Sequence, residues 1–227
     1  TDFQNAMHWG RSRSGRLLLP AFPYNHTSVF TRDDVQAIFS WLQTVKPVAL
    51  SQPAHKLTWP LGTQPMIAVW RTLFFKPKPF TPNPSESSEW NRGAYLVQSA
   101  GHCAACHGQR NALGGFPAVD DLSGGYLSPQ MWMAPSLIDA TQTAIGRSTQ
   151  NDVAQLLRTG KSTWAYASGP MAEFVQHTGQ HMSEEDAVAM AIYLKSNIHA
   201  SAQDTKPAIS LSQATSSPAA KTLYKTH

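Results

Sequence analysis

The clearest periodicity lies in residues 31–46. Val35, Ile38, Phe39 and Leu42 recur at i, i+3, i+4 and i+7, which is the buried stripe of an amphipathic helix. Thr31-Arg32-Asp33-Asp34 supplies a capping hydroxyl and an acidic first turn, and Lys46-Pro47 ends the pattern. Ser88-Glu89-Trp90 opens a second helix with a capping serine, running through Gly93, Tyr95, Leu96 and Val97 to about Ala100. Glycine inside a helix costs roughly 1 kcal/mol, so Gly93 is expected to permit a close helix crossing. Asn151 to Thr159 predicts a short helix with Val153, Leu156 and Leu157 inward, stopped by Gly160. Ser183-Glu184-Glu185-Asp186 caps a last helix through Ala187, Val188, Met190, Ala191, Ile192, Tyr193 and Leu194. That helix is apolar almost all round, hence buried. Long loops separate these elements, and the fold class they predict is all-α.

Composition narrows the picture. The chain has 227 residues, 41% of them hydrophobic, enough for one large or two ordinary domains with a core. Charged residues are 14%, against about 25% for an average globular chain. No apolar run reaches the ~20 residues of a membrane span; the densest, Met66 to Phe75, is broken by Arg71. The net charge of +4 comes without a Lys/Arg run, which argues against a nucleic-acid partner. So few charges imply that much of the surface faces a partner, a membrane or a large cofactor.

Both cysteines fall in Gly101-His102-Cys103-Ala104-Ala105-Cys106-His107-Gly108. This is C-x-x-C-H, the attachment signature of c-type haem. Two thiols three positions apart on one turn can each form a thioether to a haem vinyl group, and the next histidine then faces the iron. Other readings of the dithiol are weaker. A thioredoxin-type pair needs a preceding strand and a βαβ context, and a disulfide across two residues would be strained and would ignore His107. A zinc site would need two more ligands; His177 and His181 supply an H-x3-H, but about 70 residues away rather than the usual dozen or so.

A haem held this way takes a sixth ligand from later in the chain. Met171 is the best placed, in Ala167-Ser168-Gly169-Pro170-Met171-Ala172, read as a small-residue loop before the final helix. His177 is its rival. Met131, Met133, Met182 and Met190 read as core filler.

Residues 89–197 resemble a class I cytochrome c domain, in particular that of the multihaem cytochrome c subunits of membrane-bound periplasmic dehydrogenases. The likeness rests on Arg92-Gly93-Ala94-Tyr95-Leu96 before the motif, Trp132-Met133-Ala134-Pro135-Ser136-Leu137, Leu157-Arg158-Thr159-Gly160, Gly169-Pro170-Met171-Ala172-Glu173 and Ala191-Ile192-Tyr193-Leu194. The resemblance implies that Cys103 and Cys106 bind haem c, that His107 and Met171 are its axial ligands, and that the Pro135 carbonyl orients the His107 Nδ1 proton. It implies electron transfer rather than catalysis by this chain. The partners would be a catalytic alcohol, aldehyde, gluconate or molybdenum-type dehydrogenase subunit and, as acceptor, quinone or a terminal oxidase. The location would be periplasmic, peripheral to the outer face of the cytoplasmic membrane. Two alternatives remain open: a peroxidase-like haem enzyme or sensor with an open coordination site, and a zinc-stabilised module.

Residues 1–46 echo the second half of that domain. Met7-His8-Trp9-Gly10 parallels Leu157-Arg158-Thr159-Gly160, Pro20-Ala21-Phe22-Pro23-Tyr24 stands at Gly169-Pro170-Met171, and Thr31 to Asp34 matches Ser183 to Asp186. The expected organisation is a C-terminal half of a second cytochrome c-like domain (1–46), an ordered Pro- and aromatic-rich connector (47–85), the haem-binding domain (86–198) and a linker (199–227) leading towards a further haem domain. The whole reads as a segment of a polypeptide with up to three haems; the alternative is a one-haem protein with a degenerate N-terminal domain. Many related subunits have methionine where Phe22 stands. Phenylalanine cannot bind iron, so the first domain either uses His26 or Met7 or holds no haem. The Pro-Ala-Phe-Pro-Tyr version resembles subunits paired with molybdenum-containing aldehyde or N-heterocycle dehydrogenases. Charge is divided unevenly: residues 1–80 carry nine Lys/Arg and three Asp/Glu, residues 81–200 six and ten.

Overall fold

A computed structural model describes residues 1–50, 55–115, 118–127 and 132–199. Met131 and the expected linker beyond His199 therefore lie outside the described residues. The architecture is mostly helical, as the sequence predicts. The helices are α1 (Asp2–Trp9), α2 (Tyr24–Thr27), α3 (Arg32–Leu42), α4 (Gln64–Phe74), α5 (Ser88–Gln98), α6 (Ala104–His107), α7 (Gln150–Thr159), α8 (Pro170–His177) and α9 (Glu184–Ser196). Among the described residues, β1 (Gly125–Leu127) pairs antiparallel with β2 (Trp132–Ala134), placing Tyr126 opposite Met133 and Leu127 opposite Trp132.

The core forms where α5 crosses α9 and α7 backs it. Ala94, Val97, Val153, Ala154, Leu157, Ala187, Met190, Ala191, Tyr193 and Leu194 are buried together. Gly93 makes the crossing possible: a Cβ there would lie 1.9 Å from the Ala189 carbonyl oxygen. Arg92 clasps Asp186 with two charge-assisted bonds of 2.7 and 2.9 Å, and Trp90 Nε1 donates to Ser196 Oγ at 2.7 Å. Serine or threonine caps set the starts of these three helices: Ser87 on α5, Thr149 on α7 and Ser183 on α9. The α5 cap is thus Ser87, one residue before the serine the sequence pointed to, and its hydroxyl accepts from Trp90 N.

The N-terminal segment repeats the course of residues 149–196 in outline. α1 and α7 each begin with a capping box and end on a left-handed glycine, Gly10 at φ 52° and Gly160 at φ 75°. In each case that glycine's carbonyl accepts a 2.8 Å bond from a residue beyond a short bridged loop, Leu18 N and Ala167 N. A short helix and a hydroxyl-capped helix then follow, α2 and α3 in one case, α8 and α9 in the other.

α4 ties this segment to the rest. The Arg71 guanidinium stacks over Tyr24 and Phe75, and donates to the Trp9 carbonyl at 2.6 Å. On the other side Trp70 Nε1 donates to the Leu113 carbonyl at 2.9 Å. Tyr95 on α5 donates its hydroxyl proton to Asp34 at the start of α3 and accepts from Thr31 N.

Candidate functional site

The motif lies on one turn. Cys103 caps α6, Cys106 and His107 fall within it, and both thiols are free. Backbone bonds from Ala105 N to His102 O (2.8 Å) and His107 N to Cys103 O (2.8 Å) wind the turn tightly. His102, just before it, takes φ 35°, a left-handed conformation uncommon for a side-chain-bearing residue. Burial pushes the Cys103 thiol up to about 12 and raises Cys106 as well, so the unmodified thiols are protonated and soft.

His107 Nδ1 lies 2.8 Å from the Pro135 carbonyl oxygen. A carbonyl only accepts, so Nδ1 carries the proton and Nε2 keeps its lone pair. Burial lowers the His107 pKa against the opposing pull of that carbonyl, which favours the neutral ring a metal requires. The thiols, turn and oriented imidazole fit a haem held by two thioethers and a histidine.

Met171 is part-buried against the same core cluster that Cys103 touches. It is the second residue of α8, where a loop was expected: Pro170 occupies the first helical position, its fixed φ suiting that place. Met182 also packs on this cluster, whereas Met190 is fully buried within it and Met133 is exposed. His177 is exposed at the end of α8 and His181 is exposed in the turn that follows. Among the described residues no three His, Cys, Asp or Glu side chains gather as a metal site, so Cys103, Cys106, His177 and His181 do not assemble as zinc ligands.

His26 and Met7 lie in the N-terminal segment. His26 is 1% exposed and its Nδ1 donates to the Gln98 carbonyl at the end of α5 at 3.0 Å, the tautomer seen at His107. Its ring centroid is 6.1 Å from that of His102. Met7 is buried, its carbonyl accepting from Thr27 Oγ1 at 2.5 Å. Sequence reasoning missed two features near the site. One is the packing of Trp132 on Gly169, beside Met171; the other is a cavity of about 940 Å³ lined by Arg110, Asn111, Tyr126 and Met133 among others, which none of the four candidate haem-binding side chains lines.

Comparison with known proteins agrees with this geometry. Residues 91–197 match the family model described as Cytochrome c. The chain is 36% identical over 203 residues to the gluconate 2-dehydrogenase cytochrome c subunit of Pantoea cypripedii, covering 86% of this chain and 46% of that one. It is 34% identical over 197 residues to the fructose dehydrogenase cytochrome subunit of Gluconobacter japonicus, with 86% of this chain and 40% of that one covered. It is also 36% identical over 204 residues to the cytochrome c subunit of the quinone alcohol dehydrogenase of Gluconacetobacter polyoxogenes, covering 86% of this chain and 43% of that one. Residues 91–197 are a cytochrome c domain, and the cofactor of such a domain is covalently bound haem c. Over most of its length the chain is a homologue of cytochrome subunits of dehydrogenase complexes, and it spans less than half the length of these relatives.

Proposed function

We propose that this chain transfers single electrons through haem c, as part of the cytochrome subunit of a dehydrogenase, with Cys103 and Cys106 as the covalent anchors and His107 and Met171 as axial ligands. The observation that carries this is the 2.8 Å bond from His107 Nδ1 to the Pro135 carbonyl, one turn from two free thiols. Bound there, haem c supplies a one-electron ferric/ferrous couple. The residues do the rest. Cys103 and Cys106 fix the porphyrin edge to α6. The Pro135 carbonyl holds the imidazole with its Nε2 lone pair available, so that Nε2 would ligate the iron, and raises its basicity. Met171 would supply a soft thioether as the second protein ligand, and such a ligand raises the potential, which suits accepting electrons from a dehydrogenase. A haem held by both His107 and Met171 would leave no place for substrate at the metal, so the substrate, an alcohol, aldehyde or related small molecule, would be oxidised in a partner subunit.

The acceptor in this reading is quinone or a terminal oxidase, and the location is periplasmic, because haem attachment through C-x-x-C-H takes place outside the cytoplasmic membrane. Among the described residues no helix is long and apolar enough to cross a membrane. Peripheral attachment is supported by residues 35–85, which contain five Lys/Arg and no Asp or Glu. The same stretch exposes Trp41 (64%) and Trp59 (82%) together with Val48 and Leu50. The parallel course of α1–α3 and α7–α9 supports the reading of residues 1–46 as the second half of another cytochrome c-like domain. Phe22 stands there at the place of the methionine, with His26 or Met7 as the nearest alternative ligands.

Intact mass and pyridine haemochrome of the purified protein, followed by mixing with the catalytic subunit and its substrate, test the reading. The expected result is one covalent haem per Cys103/Cys106 pair, absent in Cys103→Ala/Cys106→Ala, and its substrate-dependent reduction. A colourless protein, or a haem that the dehydrogenase never reduces, would refute it.

A further inference from the structure

A single short stretch of chain touches both sides of the site. Pro135 follows β2 directly and its carbonyl accepts the hydrogen bond from His107 Nδ1; Trp132, at the other end of the same strand, lies against Gly169. Gly169 is the N-cap of α8, two residues before Met171, and adopts φ 52°, ψ −135°, a region open in practice only to glycine. A Cβ there would come within 2.8 Å of the benzo ring of Trp132. The Gly169 carbonyl accepts from Ala172 N (2.9 Å) and Glu173 N (3.3 Å), and Ser168 O accepts from Met171 N (3.2 Å), so the position of this turn sets that of Met171. Trp132 is nonetheless 45% exposed and lies outside the buried cluster, so filling the core does not account for it.

We propose that Trp132 is a positioning residue for the distal ligand: its indole, pressed on the side-chain-free Gly169, holds the Met171 turn in register with the strand whose Pro135 carbonyl orients His107. This rests on the reading of Met171 as the distal ligand. The mechanism is packing on the N-terminal turn of α8. Without the indole, that turn gains freedom to move away, while the α5–α9 crossing, built on Gly93 and the buried cluster to which Trp132 does not belong, stays intact. The glycine is part of the device, because only its bare backbone lets the ring approach.

The test uses the full haem-loaded protein and reads the distal ligand directly. Two quantities are measured in the oxidised state: the sulfur-to-iron charge-transfer band, and the affinity for imidazole, which displaces a loosely held methionine. Trp132→Ala should weaken the band and tighten imidazole binding about tenfold or more, with far-UV circular dichroism and covalent haem content unchanged. Trp132→Phe, which restores a flat ring, should return within about threefold of the parent. Gly169→Ala should act in the same direction as Trp132→Ala, because the new methyl meets the ring and strains a backbone held at φ 52°. Should Trp132→Ala load no haem, Gly169→Ala and Trp132→Phe decide the matter on the same two readings. A band lost in Met171→Ala but unmoved in both Trp132→Ala and Gly169→Ala overturns the positioning role and leaves the ligand reading standing. A band that survives Met171→Ala overturns the ligand reading, and this one with it.

Discussion

His26 is buried at the seam between the N-terminal segment and the end of α5. Burial lowers its pKa to about 4 from an ordinary 6.5; the Gln98 carbonyl opposes the shift, and the nearby charges of His102 and Arg110 add to it. The unfolded chain takes up the proton as pH falls through 6.5, whereas the folded one resists until about 4. Stability contributed by the neutral ring is therefore present at neutral pH and lost on acidification through that window, to a total on the order of 3 kcal/mol. His26→Asn keeps a donor for the Gln98 carbonyl and removes the titration. Urea denaturation from pH 7 to pH 4 should show a steep loss of stability in the parent and a flatter profile in the variant; equal slopes would contradict this account. At this scale the motif was legible because its chemistry is contiguous: Cys103, Cys106 and His107 share one turn. Trp132 on Gly169 joins positions 37 apart, and no periodicity marks such a pair.

Between α5 and α9 the decisive residue is the smallest one. Gly93→Ala improves helix propensity by about 1 kcal/mol, but its methyl would sit 1.9 Å from the Ala189 carbonyl oxygen, which is backbone and cannot turn aside. Clash should win, with a net loss of about 2 kcal/mol or more, read as a lowered urea midpoint and reduced haem loading. An unchanged midpoint would mean that the two helices have room to separate. This crossing was legible in Gly93, as were the helix ends, since hydroxyl, acidic first turn and stopping glycine are local signals. α4 was harder to see: it lies in a Pro- and aromatic-rich stretch, Thr63 makes no side-chain cap bond, and its start is marked only by Pro65 in the first turn. What fixes it is tertiary, Arg71 between Tyr24 and Phe75 on one side and Trp70 bonded to Leu113 on the other. The fate of Met171 has a similar cause: small residues around Pro170 read as loop, yet proline suits the first helical position.

For the molecule as a whole, charge and exposed apolar surface are sorted by segment. Residues 35–85 contain Lys46, Lys56, Arg71, Lys76 and Lys78 and no Asp or Glu, while residues 81–200 carry an excess of acid before any haem propionate is added. Co-sedimentation with vesicles should therefore be favoured by anionic lipid and weakened by salt, and Trp41→Ala/Trp59→Ala should reduce it several-fold. Binding indifferent to lipid charge and to both tryptophans would contradict the peripheral-membrane reading and leave an acidic protein face as the counterpart. If this chain holds a six-coordinate haem for electron transfer, as proposed, the oxidised optical spectrum of the purified protein reveals it. The expected result is a low-spin spectrum with a sulfur-to-iron charge-transfer band that disappears, with a rise in high-spin character, in Met171→Ala. A high-spin parent spectrum without that band, or a band that persists in the variant, would contradict it.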